Sequence, residues 1–197
     1  MSANDCFDLV SNHEIPLSFK RILEEYKHDL HLNLNNYCHL SEKILKFIAT
    51  MGCIKKLTIN TYYPKLNNTK IMEILNRIEV PQIEILGYDT NADDNKNLSD
   101  SLIIGISSNN NMNNLVNLTL AHCFIGPMMI EKLNNLINLN SLMLVNVSGL
   151  LQQNFYKLNL PKVETLELKE CSDINDEISF NLIKCCPNLQ VGISNLS

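Results

Sequence analysis

A short apolar pattern recurs along the chain, and its clearest copy is LVNLTLAHCFI at residues 115–125. Its central Leu118 and Leu120 alternate with polar neighbours, which is the pattern of a strand with one buried face. Cys123 then falls where the chain would turn inward after the strand. A side chain at that position must be small or able to bond buried backbone groups. The pattern therefore predicts a strand followed by an inward turn.

Six copies of this pattern are predicted, because self-similarity of this kind indicates a repeat architecture. The predicted alignment places these residues at the position of Leu118: Leu32, Leu57, Leu86, Leu118, Leu142 and Leu166. An amphipathic stretch with helical spacing follows each strand. The predicted helices cover residues 41–52, 69–78, 98–107, 126–137, 152–160 and 175–186. One such unit cannot bury its apolar stripe, whereas stacked units can. We therefore predict an α/β solenoid with a parallel sheet on its concave face and helices on its convex face.

This arrangement resembles the leucine-rich repeat family over roughly residues 30–192. Its spacing is similar to the cysteine-containing and ribonuclease-inhibitor-like intracellular types, and residues 163–189 resemble the repeats of F-box/LRR proteins. The positions that match are Cys171, Ile174, Asp176, Leu182, Cys186, Pro187 and Leu189. Ser179 departs from the pattern, since a leucine is usual there. The resemblance implies a non-catalytic scaffold that binds a protein on its concave sheet or adjacent loops.

Two regions are predicted: an N-terminal helical cap over residues 1–28, and about six repeats over residues 29–197. Leu189 opens a further strand, but Gly192 falls where a leucine belongs, so the last strand is incomplete. An open sheet edge is a template for pairing with another chain. The hypotheses for this edge are a frayed terminal strand, a homodimer that pairs through it, and a chain shortened relative to its relatives.

The segment EIPLSFKRILEEY at residues 14–26 predicts an amphipathic helix that begins after Pro16. It is similar to the opening of an F-box, although the first repeat strand begins by Leu30, too soon for a complete one. We interpret the segment as the cap over the first repeat. The alternative is that the chain is the substrate-recognition subunit of a ubiquitin ligase.

The composition and net charge of the chain restrict which classes of partner and which location we expect. Apolar residues make up 45% of the chain and charged residues 19%, which is typical of a folded globular protein. The net charge of −5 gives no basic excess, so we expect no nucleic-acid binding. The first residues lack the basic and apolar segments of a signal peptide, so we expect none, and no apolar run is long enough to cross a membrane. We expect an intracellular, cytoplasmic protein, or one in the host cytoplasm if it comes from a parasite or virus.

We interpret the histidine and cysteine residues that could carry reactive chemistry as structural residues. His122 and Cys123 could form a nucleophilic pair, but Cys123 occupies the same inward-turn position as Cys171. The adjacent Cys185 and Cys186 lack the C-x-x-C spacing of a zinc site. Nucleotide-binding loops and hydrolase motifs are absent from the sequence. We therefore predict no enzymatic activity, no cofactor and no metal site.

The outward strand positions form the predicted partner-binding surface. The predicted alignment, with Gly87 in the middle of the third strand, assigns these residues to it: Asn33, Thr58, Asp89, Thr119, His122, Met143, Val145, Asn146, Glu167, Lys169 and Glu170. They are mostly polar and nearly neutral, with an apolar spot at Ala121, Met143 and Val145. The alternative is a solvated face, with contacts made by loops such as 89–97 or by the ends of the array.

Overall fold

The chain forms an α/β fold with one open, all-parallel sheet. The computed structural model describes residues 21, 25, 31–34, 54–60, 75–76, 79–86, 105–106, 110–149, 158–171 and 174–190. The sheet in these residues contains six strands: His31–Leu34 (β1), Lys56–Asn60 (β2), Gln82–Leu86 (β3), Asn117–Ala121 (β4), Ser141–Val145 (β5) and Thr165–Lys169 (β6). They lie side by side in sequence order. The predicted α/β class and the parallel sheet are confirmed.

Alternating side chains give the sheet one packed face. In β3, β5 and β6 half-buried residues alternate with buried ones. On the packed face, the buried residues from β2 to β6 are Leu57, Ile59, Ile83, Ile85, Leu118, Leu120, Leu142, Leu144, Leu166 and Leu168. All are 0 to 2% exposed. Burial of a leucine or isoleucine side chain contributes about 1.5–3 kcal/mol, so this face supplies much of the stability of the sheet.

The predicted alignment of the third strand is wrong. Ile83, and not Leu86, lies beside Leu57 on one neighbour and Leu118 on the other. Ile83 and Ile85 are both 0% exposed, so these β-branched residues supply the inward pair of β3. As a result Glu84 takes the strand position that was predicted for Gly87, and Leu86 takes the position predicted for Asp89. Gly87 and Asp89 themselves lie outside the described residues.

Two of the predicted helices are confirmed with shorter bounds. Helix α1, Pro127–Leu133, follows β4, and helix α2, Asp176–Cys185, follows β6. Pro127 suits the first turn of α1 because it lacks the backbone N–H that would have no partner there. In α2 the Asn175 side chain caps the helix by accepting a hydrogen bond from the Ile178 N–H at 2.9 Å. A 3-10 helix, Asn110–Asn114, precedes β4.

The remaining helix predictions fall mostly outside the described residues. Residues 75 and 105–106 are helical, as predicted, and so are Arg21 and Glu25 within the predicted N-terminal cap. The predicted stretch 152–160 is wrong at its end, since residues 158–160 are not helical. The other residues of these segments, including most of 14–26, are not among those described.

Backbone pairing continues past β6. The Asn140 carbonyl accepts hydrogen bonds from the backbone N–H groups of Glu164 and Thr165 at the start of β6. The Gln190 N–H then donates to the Glu164 carbonyl at 2.8 Å, although residues 189 and 190 do not belong to a strand. Residues 191–197 lie outside the described part, so the incomplete last strand and the homodimer through this edge stay predictions.

Candidate partner-binding surface

Two rows of strand residues that include predicted binding positions cross the outward face of the sheet, which is the face opposite the buried leucines and isoleucines. The register aligns the first row, which consists of Asn33, Thr58, Glu84, Thr119, Met143 and Glu167. The second row consists of Asn60, Leu86, Ala121, Val145 and Lys169. The strand positions predicted for this face are thus brought together, except that Asp89 is replaced by Leu86. For Asn33 and Asn60, the structure gives the position of the backbone in the register and not the placement of the side chain.

An apolar patch lies in the middle of this face, and we define it as Leu86, Ala121, Met143 and Val145. Leu86, Ala121 and Val145 are in register on three adjacent strands, and Met143 lies on the same face of β5 as Val145. Ala121 is only 5% exposed because it lies between two larger side chains. The other three are half-buried and present apolar surface on the outward face.

The charges on the β3 side of the patch compensate each other. The Lys56 ammonium lies 2.7 Å from a carboxylate oxygen of Glu84, and each side chain is 25% exposed. The Thr58 hydroxyl donates a hydrogen bond to the same Glu84 oxygen at 3.1 Å. Glu84 therefore contacts two partners on neighbouring β2, and among the described residues the charges of Lys56 and Glu84 compensate each other on this side of the patch.

The β6 side of the patch is different. Lys169 lies 2.7 Å from a carboxylate oxygen of Glu167 on the same strand. Glu170 follows directly after β6 and is exposed. Lys169 compensates the charge of Glu167, and Glu170 adds a formal charge of about −1 on this side of the patch.

A third row follows the ends of β4, β5 and β6. His122, Asn146 and Glu170 all adopt the left-handed conformation, with φ of 53°, 46° and 54°. This conformation is uncommon outside glycine, although asparagine and histidine tolerate it better than most residues. The Asn146 side-chain amide lies 3.1 Å from Nδ1 of His122. The equal backbone geometry bends the chain in the same way after each strand, and it places these three predicted residues along one edge.

The inward-turn cysteines bond to backbone groups, as their position requires. The Cys123 thiol donates to the Ala121 carbonyl at 3.1 Å, and the Cys171 thiol donates to the Lys169 carbonyl at 3.3 Å. Both cysteines are 3% exposed. Val147 occupies the equivalent turn after β5 and is 2% exposed, so this position takes either a small apolar side chain or a thiol. Cys123 is engaged with the strand and faces the core.

Cys185 and Cys186 lie at the end of α2. Burial raises the pKa of the Cys186 thiol to about 11, and the neighbouring Cys185 adds to the shift. Burial also raises the pKa of Cys185.

Across the described part of the chain, no group of three His, Cys, Asp or Glu side chains is arranged to hold a metal ion. In the same residues, no helix has the length and apolar character needed to cross a membrane.

Sequence reasoning missed Glu84 and Leu86 because it aligned the third strand wrongly. The signal for the observed alignment is present in the sequence, since Ile83-x-Ile85 begins two residues after Pro81 and isoleucine favours strands. Comparison with known proteins adds no family assignment. No protein-family model matches the chain, and a search of curated proteins finds no match either.

Proposed function

We propose that the chain is a leucine-rich repeat solenoid that acts as a non-catalytic, protein-binding scaffold. Three observations support the architecture. Each strand pairs only with its neighbours in sequence, as expected when each unit of a stack contacts only the next. The inward Leu-x-Leu or Ile-x-Ile pair recurs in register, and Cys123 and Cys171 make equivalent bonds after their strands. The sheet would form the concave face and the helices the convex face.

The apolar patch is the observation that carries the binding function. Parallel sheets are usually covered on both faces. Here one face packs on the core, while Leu86, Met143 and Val145 lie half-buried on the other. A face that only contacted water would gain nothing from apolar side chains on three adjacent strands. A protein that covers the patch would bury them, at about 25 cal/mol for each Å² of apolar area.

Matched methionine substitutions test this function. Met143 belongs to the patch, whereas Met128 lies in the first turn of α1 and is 60% exposed. We expect Met143→Glu to reduce capture of a specific partner from source-cell lysate at least tenfold, because it places a charge in the interface. Met128→Glu adds the same charge and should leave capture unchanged. Equal capture by both variants and the wild type would refute binding through this face.

The substrate-recognition subunit of a ubiquitin ligase is a second candidate function. The helical conformation at Arg21 and Glu25 supports it, because both residues lie in the F-box-like segment 14–26. The same capture experiment distinguishes this function. A ligase adaptor would bind the wild type and both methionine variants alike, while its substrate would be lost with Met143→Glu. Capture without any adaptor would argue against the ligase role.

A further inference from the structure

The apolar patch has the dimensions of a small docking site. It crosses three adjacent strands, which at about 4.8 Å per strand makes it roughly 10 Å wide. Met143 extends it along β5 from Val145. An area of this size matches one or two large apolar side chains and is smaller than a flat domain–domain interface. It suits a short segment of a partner that inserts an anchoring side chain.

The charges around the patch are asymmetric, and this asymmetry limits what the segment can be. On the β3 side, Lys56 and Glu84 neutralise each other at 2.7 Å. On the β6 side, Lys169 is engaged with Glu167, and the exposed Glu170 carboxylate is left as the surplus charge. Among the described residues, a partner that approaches the patch therefore meets a surplus negative charge on the β6 side and a compensated ion pair on the β3 side. The chain as a whole has a net charge of −5, which favours approach of a cationic partner from a longer distance.

We propose that the outward face binds a peptide segment that carries a large apolar side chain with a lysine or arginine close to it. This inference rests on the proposed function and names the chemistry of the partner. The apolar side chain covers the patch between Leu86 and Val145. The cationic side chain reaches across β6 to Glu170 and Glu167, where an arginine can bond a carboxylate through two N–H groups.

Selection from a library of short random peptides tests the proposal on the full chain. We expect the enriched sequences to combine a large apolar residue with a nearby lysine or arginine. One enriched peptide is then synthesised with its basic residue changed to glutamate, or with its apolar residue changed to serine. Fluorescence anisotropy should show about tenfold weaker binding for the first change, since attraction becomes repulsion. The second change should abolish binding.

Variants of the chain locate the cationic contact. Glu170→Gln should weaken binding of the peptide with the basic residue about threefold, as expected for a partly exposed ion pair. It should also reduce the difference in affinity between this peptide and the one in which glutamate replaces the basic residue. Glu177→Gln on α2 is the matched control, because it removes the same charge from an exposed position away from the patch. It should leave both affinities unchanged.

The outcomes separate this inference from the proposed function. Peptides that lose binding with Met143→Glu but show no preference for a basic residue would overturn the charge inference and leave the binding face in place. Peptides that bind Met143→Glu as well as the wild type would overturn both. An absence of enriched peptides would overturn the inference alone, because the lysate capture measures the binding function independently.

Discussion

The two faces of the sheet differ in how strictly their residues are constrained. Leu142 and Met143 are neighbours on β5, yet Leu142 is 1% exposed and faces the core, while Met143 is half-buried on the outward face. Inward positions from β2 to β6 hold only leucine or isoleucine. Outward positions of the same strands hold charged, polar and apolar residues, among them threonine, glutamate, lysine, asparagine, methionine, valine and Leu86. Core packing therefore restricts the inward residues to leucine and isoleucine, whereas the outward residues are chemically varied.

Alanine substitution at these two neighbours should give the largest contrast. We expect Leu142→Ala to lower the free energy of unfolding by about 2–5 kcal/mol, because it removes buried surface and leaves a cavity. Met143→Ala should cost less than about 1 kcal/mol, since it leaves no cavity in the core. Urea denaturation followed by circular dichroism measures both. Similar losses at the two positions would contradict the distinction between the faces.

The turn after β5 should be the next most sensitive position. Gly149 has φ of 82°, and a Cβ added there would lie 2.5 Å from the Phe124 ring and 2.9 Å from the Ile125 carbonyl oxygen. We expect Gly149→Ala to cost about 1–3 kcal/mol through backbone strain and this close approach. Urea denaturation again gives the free energy of unfolding. The adjacent Ser148→Ala is the control and should cost less than about 1 kcal/mol, because the backbone bonds of Ser148 remain.

Ionisation of the buried Cys186 thiol should make the stability of the fold depend on pH in the alkaline range. The pKa of Cys186 is raised to about 11 from an ordinary 9.0, so the folded chain keeps this thiol neutral where the unfolded chain ionises it. The stability that the neutral thiol contributes is complete below pH 9 and is lost as the pH rises to about 11. Urea denaturation across this range should show stability falling for the wild type.

The variant Cys186→Ala separates this thiol from the other groups that titrate at high pH. Its free energy of unfolding should fall less steeply than that of the wild type over the same range. The pH dependence that remains in this variant includes the ionisation of Cys185, whose pKa is also raised. Parallel curves for the two chains would show that Cys186 is as exposed to ionisation in the folded state as in the unfolded one.

Much of the sheet could be predicted from sequence because its signal repeats. Leucines two residues apart mark β4, β5 and β6, and each intervening residue lies on the outward face as predicted. The beginnings of α1 and α2 could be predicted as well. Pro127 suits a first helical turn, and Asn175 is a good capping residue.

The alignment of β3 could not be predicted by matching leucines. The segment IEILGY offers two apolar pairs, Ile83 with Ile85 and Leu86 with Tyr88, and the repeat pattern alone does not choose between them. Pairing with the strands on both sides makes the choice, because it aligns Ile83 with Leu57 and Leu118. The ion pair between Lys56 and Glu84 depends on that alignment, so it could not be predicted either.

The cap of α2 should show the smallest effect, because it lies outside the packed core. Asn175→Ala removes the acceptor for the Ile178 N–H and should cost about 1 kcal/mol. Asn175→Ser keeps an acceptor at this position and should cost a few tenths of a kcal/mol at most. Urea denaturation of the two variants in parallel measures the difference. A loss as large as that for Leu142→Ala would mean that the end of the fold depends on this cap as strongly as on the packing of its leucines.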